Sequence, residues 1–203
     1  MRKAFFLIIL IPLIVVTLLS LYIIKSGSEI ETESEMDTVD QTETDSSNIS
    51  NISSSQISMK ISSPAFGPNE SIPSKYTCDG ENVNPPLQFQ DIPDGTKSLV
   101  LIVDDPEAAA GIWVHWLVWN ISPEISQIEE NSVPANAIQG TTSFERADYG
   151  GPCPPEEHSY FFKLYALDVE LDLESAKEKK DLEAAMNGHI LEKTELIGLY
   201  ERN

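Results

Sequence analysis

The chain has 203 residues, 41% of them apolar, and its 33 acidic side chains outnumber 13 basic ones for a formal charge of −20. So strong an acidic excess excludes nucleic-acid binding through a general positive field, and it argues against strong adhesion to anionic lipid surfaces. The first quarter consists of segments that cannot join a packed core, which leaves room for one domain.

In chain order, the first predicted element is an apolar run of about 21 residues from Ala4 to Ile24, softened only by Pro12, Thr17 and Ser20. A helix of that length spans roughly 30 Å, the hydrocarbon thickness of a bilayer. Its length favours an uncleaved membrane anchor over a secretory signal peptide, whose apolar region runs only about 7 to 15 residues. Cleavage and secretion are the alternative, since Ser26, Gly27 and Ser28 suit a signal peptidase. Arg2 and Lys3 precede the run and an acidic stretch follows it, so the N-terminus is expected in the cytoplasm and the remainder outside, with Lys25 weakening the asymmetry slightly. No cysteine lies near the end of the run to accept a lipid.

Residues 26–58 carry eight acids (Glu29, Glu31, Glu33, Glu35, Asp37, Asp40, Glu43 and Asp45) among many Ser and Thr, with no aromatic residue. Such a stretch buries too little apolar area to offset its ordering entropy. It reads as a disordered, self-repelling tether. Asn48-Ile49-Ser50 and Asn51-Ile52-Ser53 are glycosylation sequons that fit an external location. Without the tether acids, Arg2, Lys3 and Lys25, the domain at 59–203 still holds 25 acids against 10 bases. That excess reads as solubility or adaptation to a saline medium rather than as a site for a basic partner.

Within the domain, Pro and Gly punctuate residues 62–95, which suits short strands and loops rather than alternating strands and helices. After the turn signal Pro93-Asp94-Gly95, Lys97 to Asp104 is an aliphatic, β-branched run expected to form a buried strand. Trp113 to Ile121 is a second. Strict alternation puts Trp113, His115, Leu117 and Trp119 on one face and Val114, Trp116 and Val118 on the other, so the strand should be covered on both sides. Ser159 to Asp168 is a third, with Tyr160, Phe162, Leu164 and Ala166 opposite Phe161, Tyr165 and Leu167. Helical patterning appears only from about Leu173 to Met186 and stops at Asn187-Gly188. These elements predict a mainly β domain, an antiparallel β-sandwich with one or two peripheral C-terminal helices.

Chemistry concentrates in two segments: Asp104-Asp105-Pro106-Glu107-Ala108 with Trp113-Val114-His115-Trp116, and Gly150-Gly151-Pro152-Cys153-Pro154-Pro155 with His158-Ser159-Tyr160. His158 and Tyr160, two apart at a strand start, share a face, and His115 can converge on them from a neighbouring strand. Imidazoles and a phenol supply hydrogen-bond donors, and a glycine-rich turn lets backbone N–H groups approach an anion. Asp105 is placed to orient an imidazole, so anion affinity is expected to rise as pH falls toward about 6. A lone strand histidine is most often a satisfied core residue, but two of the three histidines fall in these segments and point to a site; His189, after the helix stop, reads as structural. No four-ligand metal spacing is present, and no cofactor motif.

At these residues the sequence resembles the phosphatidylethanolamine-binding proteins, also called Raf kinase inhibitor-like proteins, in their prokaryotic branch. Ile61-Ser62-Ser63-Pro64-Ala65-Phe66, Tyr76-Thr77-Cys78-Asp79-Gly80 and Asn187-Gly188-His189-Ile190-Leu191 extend the likeness over the whole domain. The resemblance implies a small pocket for phosphate or a phosphorylated lipid head group, lined by Asp105, Glu107, His115, Gly151, Pro152, His158 and Tyr160. It implies a binding or regulatory protein rather than an enzyme, with a protein target such as a kinase or peptidase as the alternative partner. A phosphoester hydrolase with Ser159 or Cys153 as nucleophile is a more distant reading, since no Gly-x-Ser-x-Gly elbow is present. The resemblance also brings Cys78 and Cys153 into loops near the pocket, where a disulfide can form outside the reducing cytosol. Glu107 stands where the family has Asp, Ala109 where it has Pro and Ser159 where it has Arg, departures that bear on the charge and rigidity of the rim.

Overall fold

The structure, a computed structural model, describes residues 58–202. The apolar run 4–24 and the acidic stretch up to residue 57 lie outside the described residues. Among the described residues no helix is long and apolar enough to cross a membrane.

The apolar runs form a six-stranded sheet. Its strands are β2 (Glu70–Ser71), β4 (Ser98–Asp105), β5 (Trp113–Ile121), β7 (Ile138–Gln139), β8 (His158–Leu167) and β9 (Ile190–Tyr200), in the order β2-β9-β8-β4-β5-β7. β4 lies inside the sheet and every one of its residues is buried, as a run without polar alternation requires. A second sheet contains β1 (Lys60–Ser62), β3 (Leu87–Gln90) and β6 (Gln127–Ile128), in the order β1-β3-β6. Its Ile61, Leu87, Phe89 and Ile128 share one core with Leu99, Leu101, Val103, Trp116, Val118, Phe162 and Leu164 of the large sheet. The opposite face of the large sheet, with Val100, Ile102, Leu117, Trp119 and Leu167, is covered by Leu171 and by helix α1 (Lys179–Met186). Leu182 and Met186 of that helix are fully buried, each contributing roughly 1.5–3 kcal/mol.

Pairing is not antiparallel throughout, for β2 runs parallel to β9 at Glu70–Gly198 and Ser71–Leu199. Gly198 makes this possible: a Cβ there would lie 2.6 Å from Ile72 Cγ1 and 2.7 Å from Phe66 Cε2. Flanking bonds from Asn69 N–H to the Ile197 carbonyl and from Ile72 N–H to the Leu199 carbonyl hold the short segment in place.

The helix is also shorter than its pattern. Residues 173–178 are not helical, because their backbone is engaged elsewhere: the Leu173 carbonyl accepts from Trp119 Nε1 and the Lys177 carbonyl from Thr141 N–H. Ala176 has φ +64°. The helix begins only past these bonds, where Asp181 accepts from the Glu178 N–H, and Gly188 at φ +84° follows its end as the sequence predicts.

Strict alternation fails in β5. Val103 of β4 faces Trp116, but the next residue, Asp104, faces Val114, so His115 is an extra residue in a bulge. Val114, Leu117 and Trp119 therefore share the helix-covered face, while His115 is turned to the side of Tyr160 and Trp116.

Candidate ligand-binding site

A cavity of about 280 Å³ opens where β4 ends and β5 and β8 begin. Its polar groups are Asp105, His115, His158 and Tyr160; its apolar walls are Trp113, Phe144, Ala108, Ala109, Pro154 and Pro155, with Cys153 beside them. Of the seven residues predicted from sequence, four thus line one cavity.

Each is positioned by its element. Asp105 closes β4; its Oδ2 lies 2.7 Å from Nδ1 of His158, and its Oδ1 accepts from the Glu107 N–H at 2.8 Å. A carboxylate only accepts, so Nδ1 of His158 carries a proton and its Nε2 is left for a ligand. Tyr160 follows two residues along the same face of β8. His115 comes from β5, which is not adjacent to β8: β4 lies between them. The bulge lets it reach across, and its ring meets Tyr160 edge to face at 5.2 Å and Phe144 at 5.5 Å.

His115 is 3% exposed, with Nδ1 2.6 Å from the Gly150 carbonyl, while the Gly150 N–H donates back to the His115 carbonyl at 3.0 Å. Burial pushes the His115 imidazole below its ordinary value of 6.5, opposed by the Gly150 carbonyl and by Asp105 and Asp104. Burial, then the Asp105 charge, raises the Tyr160 phenol far above its usual range, against a backbone hydrogen bond with Cys153 that lowers it. The phenol keeps its O–H as a donor.

Gly151, Pro152 and Glu107 do not line the cavity. The Gly151 N–H donates to Asn82 Oδ1 at 2.7 Å, so it is committed to the neighbouring loop rather than free for an anion. A Cβ on Gly151 would lie 2.4 Å from the Tyr76 carbonyl oxygen and 2.7 Å from Thr77 Cα; this glycine serves the contact between two loops. Pro152 accepts from the Cys78 N–H at 3.0 Å at the same contact. A disulfide joins Cys78 to Cys153 there, with Cα atoms 5.4 Å apart. Tyr200 and Arg202 bind Asp79 at 2.8 and 2.9 Å, tying the 76–80 loop to the end of β9 as well. Glu107 is turned onto the Ser159 N–H at 2.5 Å, so two positions that depart from the family pattern touch each other beside the cavity.

Sequence reading missed Phe144, Trp113 and the Gly150 carbonyl. Phe144 sits in an irregular loop with no local signal; Gly150 was visible only as part of the glycine pair. The neighbouring Asp104 points to the opposite face, where it is fully buried against Lys163 at 2.7 Å and Lys179 at 3.7 Å. His189 is exposed and paired with Asp168. Among the described residues no cluster of three or more His, Cys, Asp and Glu could hold a metal ion.

The mainly β fold agrees with what known proteins show. Residues 62–201 match the model of the phosphatidylethanolamine-binding protein family, and the chain belongs to that family. A UPF0098 protein of Pyrococcus horikoshii is 48% identical over 157 residues, 72% of this chain and 78% of that protein. A UPF0098 protein of Methanothermobacter thermautotrophicus is 47% identical over 150 residues, 71% of this chain and 99% of its own length. Among solved structures, a phosphatidylethanolamine-binding protein homolog of Chlamydia trachomatis superposes with a TM-score of 0.70 at 42% identity, covering 72% of this chain and 99% of that one. E. coli YbcL, described as a member of the mammalian family, gives 0.68 at 27% identity, covering 71% and 99%.

Proposed function

We propose that this protein binds a phosphate-type anion or a phosphorylated head group in the cleft between His115, His158 and Tyr160, without catalytic turnover. The observation that supports this most is the Asp105–His158 pair, which holds one imidazole nitrogen and leaves the other, with the Tyr160 O–H, open to a small cavity. When its Nε2 carries a proton, His158 donates together with the phenol to anionic oxygens, beside aromatic and proline walls. Binding rather than hydrolysis is favoured because Cys153 is bonded to Cys78, and Ser159 alternates to the face of β8 opposite His158. The apolar run Ala4–Ile24 and its flanking charges support a domain held outside a membrane, where a disulfide persists.

Calorimetric titration with phosphoethanolamine and with inorganic phosphate tests the binding. A saturable heat for either supports it, and its absence for both at millimolar concentration rejects it. Protease added to intact cells tests the topology: the domain should be removed, and full protection with recovery in the soluble cytosolic fraction would reject the anchor.

A further inference from the structure

Resting on the anion-binding reading, we infer that the cleft selects a phosphate group that retains one acidic proton. Its ligand class is the terminal phosphomonoester in singly ionised form, in preference to a phosphodiester or a fully ionised dianion.

His115 carries this inference. The Gly150 carbonyl, 2.6 Å from Nδ1, can only accept, so the ring's proton is on Nδ1. The return bond from the Gly150 N–H to the His115 carbonyl holds that arrangement. Among the described residues the only hydrogen bond of the His115 ring is the one at Nδ1, so Nε2, on a side chain lining the cavity, presents a lone pair. Burial disfavours protonating it. A ligand atom seated against Nε2 therefore has to donate a hydrogen bond. A P–OH does so, whereas the oxygens of a diester or a dianion are acceptors and would leave two lone pairs opposed.

The charges around the cleft point the same way. Beside His115 in the cavity are Asp105 from β4 and His158 and Tyr160 from β8; Asp104 acts on it from the opposite face of the sheet, Glu107 is turned onto the Ser159 N–H, and Arg146 lies beyond Phe144. Among the described residues no Lys or Arg lines the cavity. Arg146 stacks 5.5 Å from the Phe144 ring and is paired with Asp148 at 2.8 Å. Among the described lining residues, His158 is the one whose positive charge is matched by a carboxylate at hydrogen-bond distance, that of Asp105, whereas burial disfavours charge on His115. That pair accommodates a single negative charge far better than two. Two oxygens of the monoanion accept from His158 Nε2–H and Tyr160 O–H, and its hydroxyl donates to His115 Nε2.

Ethyl phosphate and dimethyl phosphate have the same heavy-atom composition, but only the first keeps a P–OH when singly charged. Calorimetry with the full-length chain in a sugar-headgroup detergent and phosphate-free buffer, at about pH 5.5 and pH 7.5, compares them, with sulfate as a dianion lacking a proton. Ethyl phosphate should bind on the order of tenfold or more tighter than dimethyl phosphate at the lower pH. The ratio should shrink as the monoester loses its second proton near pH 6. Both ligands respond alike to His158, so the ratio isolates the donor requirement. His115→Phe keeps a ring of similar size without the acceptor and should bring the ratio close to one. Equal affinities for the two isomers at pH 5.5, sulfate binding as tightly as ethyl phosphate, or a ratio that grows toward pH 7.5 would overturn the inference while leaving anion binding intact. No heat from any of the three would overturn both. If His115→Phe does not fold, the wild-type ratio and its pH trend still decide.

Discussion

Asp105 Oδ2 lies 2.7 Å from Nδ1 of His158, and the two side chains are 5% and 11% exposed. A pair this enclosed fixes the imidazole's orientation, so that its second nitrogen is presented to the cavity in one direction.

Replacing His158 by Ala should weaken phosphoethanolamine binding by about 1.5–3 kcal/mol, roughly one to two decades in Kd, through loss of a charge-assisted hydrogen bond. The variant should still fold, because His158 sits at the start of β8 rather than in either apolar core, but its Tm should fall since the enclosed Asp105 carboxylate loses its partner. Calorimetry on the folded variant reads the effect, and an unaltered affinity would place the ligand elsewhere.

The Cys78–Cys153 bond spans 75 residues and ties the cavity's proline wall to the 76–80 loop. In the chain-entropy model a closed loop of that length is worth about 4 kcal/mol. Treatment with a dithiol, or Cys78→Ser with Cys153→Ser, should lower Tm on the order of 10 °C. The hydrogen bonds at Asn82, Asp79 and Pro152 remain, so the folded state should persist at ambient temperature. A Tm that does not move on verified reduction contradicts this.

Protonation of His115 should cost stability. Its folded-state pKa lies below the ordinary value of 6.5, chiefly through burial, so below about that pH the unfolded chain binds more protons than the folded one. The stability this site contributes is complete above the unfolded pKa and is lost as pH falls through the folded pKa. His115→Gln keeps a donor for the Gly150 carbonyl and removes the titration. Its Tm should therefore fall less than that of wild type between about pH 7.5 and 5.5, and parallel curves would refute the assignment.

Asp104 is fully buried between Lys163 and Lys179, and its Oδ2 has no hydrogen-bond partner. Asp104→Ala leaves the partly buried Lys163 ammonium without its counter-charge, leaves Lys179 paired with Glu183 alone, and loosens α1 from the sheet. A loss of roughly 2–4 kcal/mol is expected in denaturant unfolding. Adding Lys163→Met should recover part of it, since an unpaired cation is then no longer enclosed.

The three long apolar strands were legible to within a residue or two because a buried strand needs side chains that are apolar on both faces, and composition alone reveals that. The helix stop at Asn187-Gly188 was legible for the same local reason. The helix start was not: residues 173–178 have helical patterning, yet their carbonyls are drawn to Trp119 and Thr141, partners more than 30 positions away. The parallel β2–β9 pairing was likewise hidden, since it rests on the close approach of Ile72 and Phe66 that Gly198 permits.

At the site, sequence by itself determined which chemical groups are available: two imidazoles, a carboxylate, a phenol and a pair of cysteines, at spacings that fit one family. Tertiary structure alone decided their roles. The β5 bulge carries His115 to the Tyr160 side, Gly150 fixes which of its nitrogens holds the proton, and Asn82 takes the Gly151 N–H that the sequence left available to an anion. Residue type and local periodicity are short-range properties of the chain. The direction of a lone pair and the engagement of an N–H depend on partners brought together only when distant loops and strands pack.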